Sequence, residues 1–254
     1  MPAHPHLLIE GLSKSYGDGP SILRGLNLEV TAGEFVSLIG PSGCGKSTIL
    51  KLVAGLSPVT EGSLKVGGQT PAAARERMAF IFQEPTLLPW LTVIRNVETL
   101  LRIRRMPRDR CRKIAAGMLS LVRLDHVRNH YPRQLSGGMK MRVSIARALS
   151  LSPELLLLDE PFGALDEMTR DHLNEELLDL RRVQNWTALF VTHSVREAVF
   201  LSDRIVVLAA NPGRIFKVIE VPLVYPRTNQ TRDSDAYLRI VSDVSRVLRS
   251  VEEQ

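Results

Sequence analysis

The sequence is short of cysteine, of aromatic residues and of long apolar runs, and each shortage excludes a class of protein. Cys44 and Cys111 are the only thiols in 254 residues. Two cysteines make neither a disulfide framework nor a zinc-binding spacing, so a reducing compartment is expected. The longest strongly apolar runs, Leu155–Leu158 and Ile205–Ala210, fall far below the roughly 18–20 residues needed to cross a bilayer. Met1-Pro2-Ala3-His4-Pro5-His6 lacks the basic-then-apolar order of a signal peptide. Any membrane role is therefore expected to come from docking onto another chain. Aromatic residues are only 5% of the chain, and this bears on its most charged part. Between Arg95 and Arg142 thirteen Lys or Arg stand against three acidic residues, a local excess of +10 within a chain total of +6. Tyr131 is the only aromatic there. Without side chains to stack on bases, the stretch reads as a solvated helical face rather than a nucleic-acid surface. A surface held near anionic lipid headgroups is a third reading.

What is present describes a folded α/β chain. Hydrophobic residues are 44% and charged residues 24%, ordinary values for a globular protein able to bury a large core. Leu7–Leu12 and Leu26–Val30 alternate like half-buried strands, with Gly17-Asp18-Gly19-Pro20 as a turn between them. Phe35–Ile39 reads as a short buried strand, and Ser47 to Gly55 as a helix stopped by glycine. Residues 85–150 carry apolar side chains at three- and four-residue steps and are expected to be mostly helical. Leu155–Leu158, Thr187–Val191 and Ile205–Leu208 read as buried strands. Helical patterns follow the first two, an alternation that predicts a parallel sheet covered by helices. The tail from Pro226 holds helical spacing over Asp235–Val251. There is no internal repeat or low-complexity segment.

Two stretches carry chemistry. Gly40-Pro41-Ser42-Gly43-Cys44-Gly45-Lys46-Ser47-Thr48 fits the phosphate-loop spacing and sits between a strand and a helix, as that loop requires. Glycines let consecutive N–H groups turn inward around a phosphate without Cβ clashes, and the following helix adds its positive end. Lys46 is expected to reach the β- and γ-phosphates of ATP, and the Ser47 hydroxyl to meet Mg²⁺. Leu155–Leu158 run into Asp159-Glu160, so two carboxylates should emerge at the sheet edge where open α/β sheets bind ligands. Asp159 would hold Mg²⁺ through water, and Glu160 would polarise the attacking water.

Leu135-Ser136-Gly137-Gly138-Met139, shortly before the acidic strand, resembles the signature loop of ABC-type ATPases. The order of motifs matches that family across nearly the whole chain. The resemblance implies an α/β P-loop cassette: a RecA-like parallel-sheet core, an antiparallel β subdomain and a helical subdomain at about 85–150. The ATP-binding domain would span 7–225, with a tail at 226–254. It places Tyr16 where an aromatic stacks on adenine, and Gln83 in the loop that touches Mg²⁺ and the transmembrane partner. Asp166, in Ala164-Leu165-Asp166, matches the loop meeting a second subunit, and His193 the histidine at the γ-phosphate, catalytic beside Glu160 and Lys46. Ser136, Gly137, Gly138 and Met139 would face the ATP of a neighbouring copy. Independently of the family, a helical pattern beginning near Lys140 makes Ser136–Gly138 a second set of free N–H groups. Two departures stand out: Met139 replaces the usual Gln, and Ser194 follows His193 where Asp is common.

Leu87–Val93, Met139–Arg142 and Asn211–Ile215 are most similar to importer ATPases of the nitrate, sulfonate, taurine and bicarbonate group. That implies a second ATP-binding subunit, two permease subunits, an external solute-binding protein and no nucleic acid, with the chain peripheral at the cytoplasmic face of the membrane. The cofactors implied are ATP and Mg²⁺. Leu87, Leu88 and Trp90 form an apolar cluster that is either an internal helix-start staple or the floor of a groove for a permease helix. The rival functions are a soluble ABC-type ATPase acting on nucleic acid or ribosomes, against which the lack of coiled-coil insertions counts, and a non-hydrolysing nucleotide sensor, against which Glu160 and His193 count.

Overall fold

The computed structural model describes residues 6–17 and 19–252; Asp18 of the expected turn lies outside them. In chain order the elements are β1 (Leu7–Lys14), β2 (Leu23–Val30), β3 (Phe35–Ile39), α1 (Lys46–Val53), β4 (Glu61–Val66), α2 (Pro71–Ala74) and β5 (Met78–Ile81). Then follow α3 (Val93–Ile103), α4 (Arg108–Leu121), α5 (Gly137–Leu149), β6 (Leu155–Asp159), α6 (Glu167–Gln184), β7 (Thr187–Val191) and α7 (Val195–Leu201). The chain closes with β8 (Arg204–Ala209), β9 (Arg214–Glu220), α8 (Asn229–Arg232) and α9 (Asp235–Glu252).

Two sheets share the work. β2-β1-β4 is antiparallel, and the alternating burial of β1 matches its sequence alternation. The second sheet runs β5-β6-β7-β3-β8-β9, parallel except for the antiparallel edge strand β9. Its central strands β3 and β7 are buried at every residue, as are all four leucines of β6. Successive leucines serve opposite faces: Leu156 and Leu158 join the larger core cluster, and Leu155 and Leu157 the one shared with the antiparallel sheet and α1. This period of two is what a strand covered on both faces requires.

α3, α4 and α5 pack on one another as a helical unit. The loop before it, 83–92, is irregular rather than helical. Four elements had no clear signal in the sequence: β4, β9 and the single turns α2 and α8. The tail is a structural part of the core. α9 packs on α7 and β8, and Tyr237, Val244 and Val251 sit in the larger core cluster. Among the described residues no helix is long and apolar enough to cross a membrane.

Candidate functional site

Strand order assembles the site. β7 lies between β6 and β3, so three parallel strands deliver Asp159-Glu160, Thr192-His193 and Gly40 to one sheet edge. Gly40 ends β3 at φ +155, and a Cβ there would stand 2.5 Å from the Leu208 carbonyl oxygen. Only glycine fits. Gly45, at φ +95, is the N-cap of α1. Lys46 is 8% exposed, and its Nζ donates to the Gly40 and Pro41 carbonyls at 2.8 and 2.9 Å. The amine is thus held across the mouth of its own loop. The loop from Ser42 to Thr48 and, from across the sheet, Glu160 line an open cleft of about 350 Å³. Cys44 is not among the lining residues: its thiol is buried in the core beneath the loop, and burial pushes its pKa up. A second cavity of about 370 Å³ lies on the loop's other flank, between Pro41-Ser42, the β8–β9 turn and Val251 of α9.

Ser47 Oγ donates to Asp159 Oδ1 at 2.9 Å. Burial raises the Asp159 pKa, with the Ser47 hydrogen bond opposing it and the neighbouring Glu160 charge adding to it. Glu160 has φ +45, an uncommon backbone state for a non-glycine residue, and its N–H donates to the Val191 carbonyl at 3.0 Å. Such turns recur where side chains must be aimed. Glu160 Oε2 lies 3.2 Å from His193 Nδ1. Gln83 belongs to the same group, because a Cβ on Gly163 would be 3.6 Å from both Gln83 Nε2 and His193 Cε1. Side chains from three strand ends, β5, β6 and β7, therefore gather around Gly163.

Tyr16 stands apart. It is not among the cleft-lining residues; its ring is 51% exposed and lies 4.6 Å from Lys14 Nζ. The signature residues also lie away from the cleft lining. The expected helix start near Lys140 is corrected: α5 begins at Gly137, with Ser136 as N-cap accepting from the Met139 N–H at 3.3 Å. A serine hydroxyl competes well for the free N–H groups of a first turn, which moves the start forward. A Cβ on Gly138 would be 2.8 Å from Thr169 Cγ2, and one on Gly137 3.3 Å from Leu165 Cδ2. The two glycines let α5 start against the loop containing Asp166. Asp166 itself caps α6, accepting from the Thr169 N–H at 2.9 Å, which lowers its pKa. Met139 is partly buried against the larger core, and Ser194 caps α7 through the Glu197 N–H.

The loop after Gln83 splits the two readings of its apolar cluster. Leu87 packs against the core, while Trp90 projects with 69% exposure. Two residues absent from the sequence reading hold that loop. Asn96, fully buried in α3, accepts from the Leu88 N–H at 2.7 Å and donates to the carbonyls of Leu88, Leu91 and Thr92. Arg147 of α5 donates to the carbonyls of Pro85 and Thr86. The available signal for Asn96 was a polar residue among the apolar side chains of α3, where Glu98 is buried as well.

Comparison with known proteins gives the family. The family model described as ABC transporter matches residues 23–163. The aliphatic sulfonates import ATP-binding protein SsuB of Bacillus cereus is 45% identical over 224 residues, covering 87% of this chain and 88% of that protein. Its counterpart in Bacillus subtilis is 45% identical over 216 residues, with 85% and 84% covered. Among solved structures, an ATP-binding cassette crystallised as a dimer in a post-hydrolysis state, bound to ADP and Pi, superposes with TM-score 0.75 at 33% identity. That match covers 86% of this chain and all of the other.

Proposed function

The chain belongs to the ABC transporter family and binds and hydrolyses ATP; from that premise we propose that it powers import of a small anion through a membrane permease. The observation that carries this reading is the meeting of the phosphate loop with Asp159, Glu160 and His193 at one sheet edge. The named relatives import aliphatic sulfonates, which favours a sulfonate within the nitrate, sulfonate, taurine and bicarbonate group.

In this reading residues 40–48 cradle the phosphates and Lys46 turns from the loop carbonyls to the β- and γ-phosphates. Tyr16 stacks on the adenine at the rim. Glu160 orients the attacking water and accepts its proton, and His193, one hydrogen bond away, contacts the γ-phosphate. Ser47 Oγ and Asp159 Oδ1, 2.9 Å apart, are hard oxygen donors of the kind Mg²⁺ prefers. Ser47, Asp159 and Gln83 would hold Mg²⁺, which would supply charge neutralisation for phosphoryl transfer.

Ser136–Met139 lie away from this chain's own cleft, so a second copy turned head-to-tail would bring them onto it, with Asp166 at the seam. ATP then holds the pair together, and hydrolysis lets it open. Trp90 and the loop fixed by Asn96 and Arg147 form a rigid apolar surface beside Gln83, suited to a permease helix. The assembly would include two permease subunits and an external solute-binding protein, with this chain at the cytoplasmic face of the membrane. The span 7–225 is then the nucleotide-handling domain, its helical part at 85–150.

The test is Glu160→Gln. The variant should bind ATP with affinity close to wild type, dimerise on ATP, and lose turnover by two orders of magnitude or so. Undiminished turnover would reject the assignment of Glu160.

A further inference from the structure

His193 is held from both sides, and both holds trace to one buried carboxylate. Glu197, in the first turn of α7, is 4% exposed. The Thr192 hydroxyl donates to its Oε2. The same Thr192 oxygen accepts the Ser194 N–H at 3.0 Å, and the Ser194 hydroxyl accepts the Glu197 N–H at 3.3 Å. The residues on either side of His193 are thus closed into a ring that ends on Glu197.

The other carboxylate oxygen leads out of the ring. Glu197 Oε1 faces Arg170 Nε at 3.7 Å, and Arg170 Nη2 donates to the Leu165 carbonyl at 2.8 Å. Leu165 precedes Asp166, the N-cap of α6. One guanidinium therefore spans from the Asp166 loop to the carboxylate that fixes the His193 loop. Stability alone does not ask for this arrangement, because a buried ion pair is often no better than an apolar pair of the same volume. Its distinguishing property is direction: the guanidinium is hydrogen-bonded to the Asp166 loop and meets the Glu197 carboxylate as an ion pair without a hydrogen bond, so it couples the two loops through charge. Neither residue is in the cleft lining.

We propose that Arg170 and Glu197 are positioning residues that tie His193 to the Asp166 loop, so that a second cassette docking on that loop sets the histidine for hydrolysis. This rests on the reading of His193 and of the paired cassettes given above. Arg170 acts on the reaction only through Glu197, Thr192 and the histidine, so its loss should spare nucleotide binding and impair turnover and cooperativity.

The experiment compares the intact chain with Arg170→Ala, Arg170→Lys, Glu197→Gln and His193→Ala. ATP affinity, kcat and the Hill coefficient for ATP are measured, with thermal melts alongside. Arg170→Ala should keep ATP affinity within about twofold, while kcat falls roughly ten- to a hundredfold, the range expected when a catalytic group is misplaced by about 1 Å. The Hill coefficient should fall towards 1. Arg170→Lys, which keeps the charge, should recover part of both. Glu197→Gln keeps the volume and serves if the alanine variant does not fold; it should lower kcat and cooperativity in the same sense. A folded Arg170→Ala or Glu197→Gln with wild-type kcat and Hill coefficient overturns the proposal, provided that His193→Ala is inactive. Full turnover in His193→Ala would instead remove the underlying assignment of the histidine.

Discussion

Replacing Gly213 with alanine presses on the phosphate loop from behind, at the backbone of Cys44. Gly213 is buried in the turn between β8 and β9, its N–H donating to the Ile22 carbonyl at 2.8 Å and its carbonyl accepting from the Arg24 N–H at 3.0 Å. A Cβ at this position would stand 2.2 Å from the carbonyl oxygen of Cys44, 2.8 Å from Leu23 Cδ2 and 2.9 Å from the Ile22 carbonyl oxygen. Carbon and oxygen ordinarily approach to about 3.3 Å, so the Cys44 peptide must retreat by roughly 1 Å. Two of the three obstacles are backbone and cannot yield by rotating a side chain. Overpacking of this kind costs about 1–3 kcal/mol. At about 1.4 kcal/mol per tenfold, a displacement borne wholly by the loop would weaken ATP binding by roughly ten- to a hundredfold. The assay is a titration with a fluorescent ATP analogue beside a thermal melt. Gly117→Ala is the control, since no heavy atom lies within 4 Å of a Cβ built at that position in α4, where alanine is the better helix former by about 1 kcal/mol. Gly213→Ala should lower Tm and raise the Kd for ATP, while Gly117→Ala changes neither adversely. Wild-type affinity and Tm in Gly213→Ala would refute the claim that this turn shapes the cradle.

Two further outcomes can be checked directly. Asn96→Ala removes four hydrogen bonds to the backbone of the loop carrying Trp90 and should cost about 2–3 kcal/mol locally. Amide exchange at Leu88 and Leu91 should quicken, and stimulation by the permease should fall while basal turnover stays within about twofold; unchanged exchange would sink the structural part of this claim. Tyr225, bonded to Asp203, Arg181 and the Leu201 carbonyl, has its pKa pushed up from 10.0 to about 12, chiefly by burial. Its folded value lies above its unfolded one, so the stability from the neutral phenol is complete below the unfolded value and is lost as pH rises from 10 towards 12. An absorbance titration should show Tyr225 among the late phenolates, beside Tyr237, whose pKa burial also raises, and Tyr225→Phe should remove part of that late amplitude; an undiminished late amplitude would contradict it.

The site was legible from the sequence to the extent that its parts are local. The phosphate loop is nine consecutive residues whose glycine spacing reflects local backbone sterics. The acidic pair is visible because four leucines before it can only be a strand buried on both faces, and it came out where a strand end must lie. The early start of α5 was misjudged because Gly137 and Gly138 weaken any helical pattern, and the Ser136 cap is a single side chain. The edge strand β9 was missed because exposure dominates along it, so its apolar residues give no period. The tail helix had a pattern, yet nothing local said that it would bury Tyr237 and Val244 in the common core.

Local order therefore determined the cradle, the carboxylate strand and the family resemblance, because each depends on residues within a few positions of one another. Strand order, by contrast, is decided by which buried faces fit together, and it alone brought Glu160, His193 and Gln83 into one group from positions tens of residues apart. It also decided that Gly213 supports the loop and that Arg170 lies between the Asp166 loop and Glu197. These are contacts across the core, and no spacing along the chain encodes them.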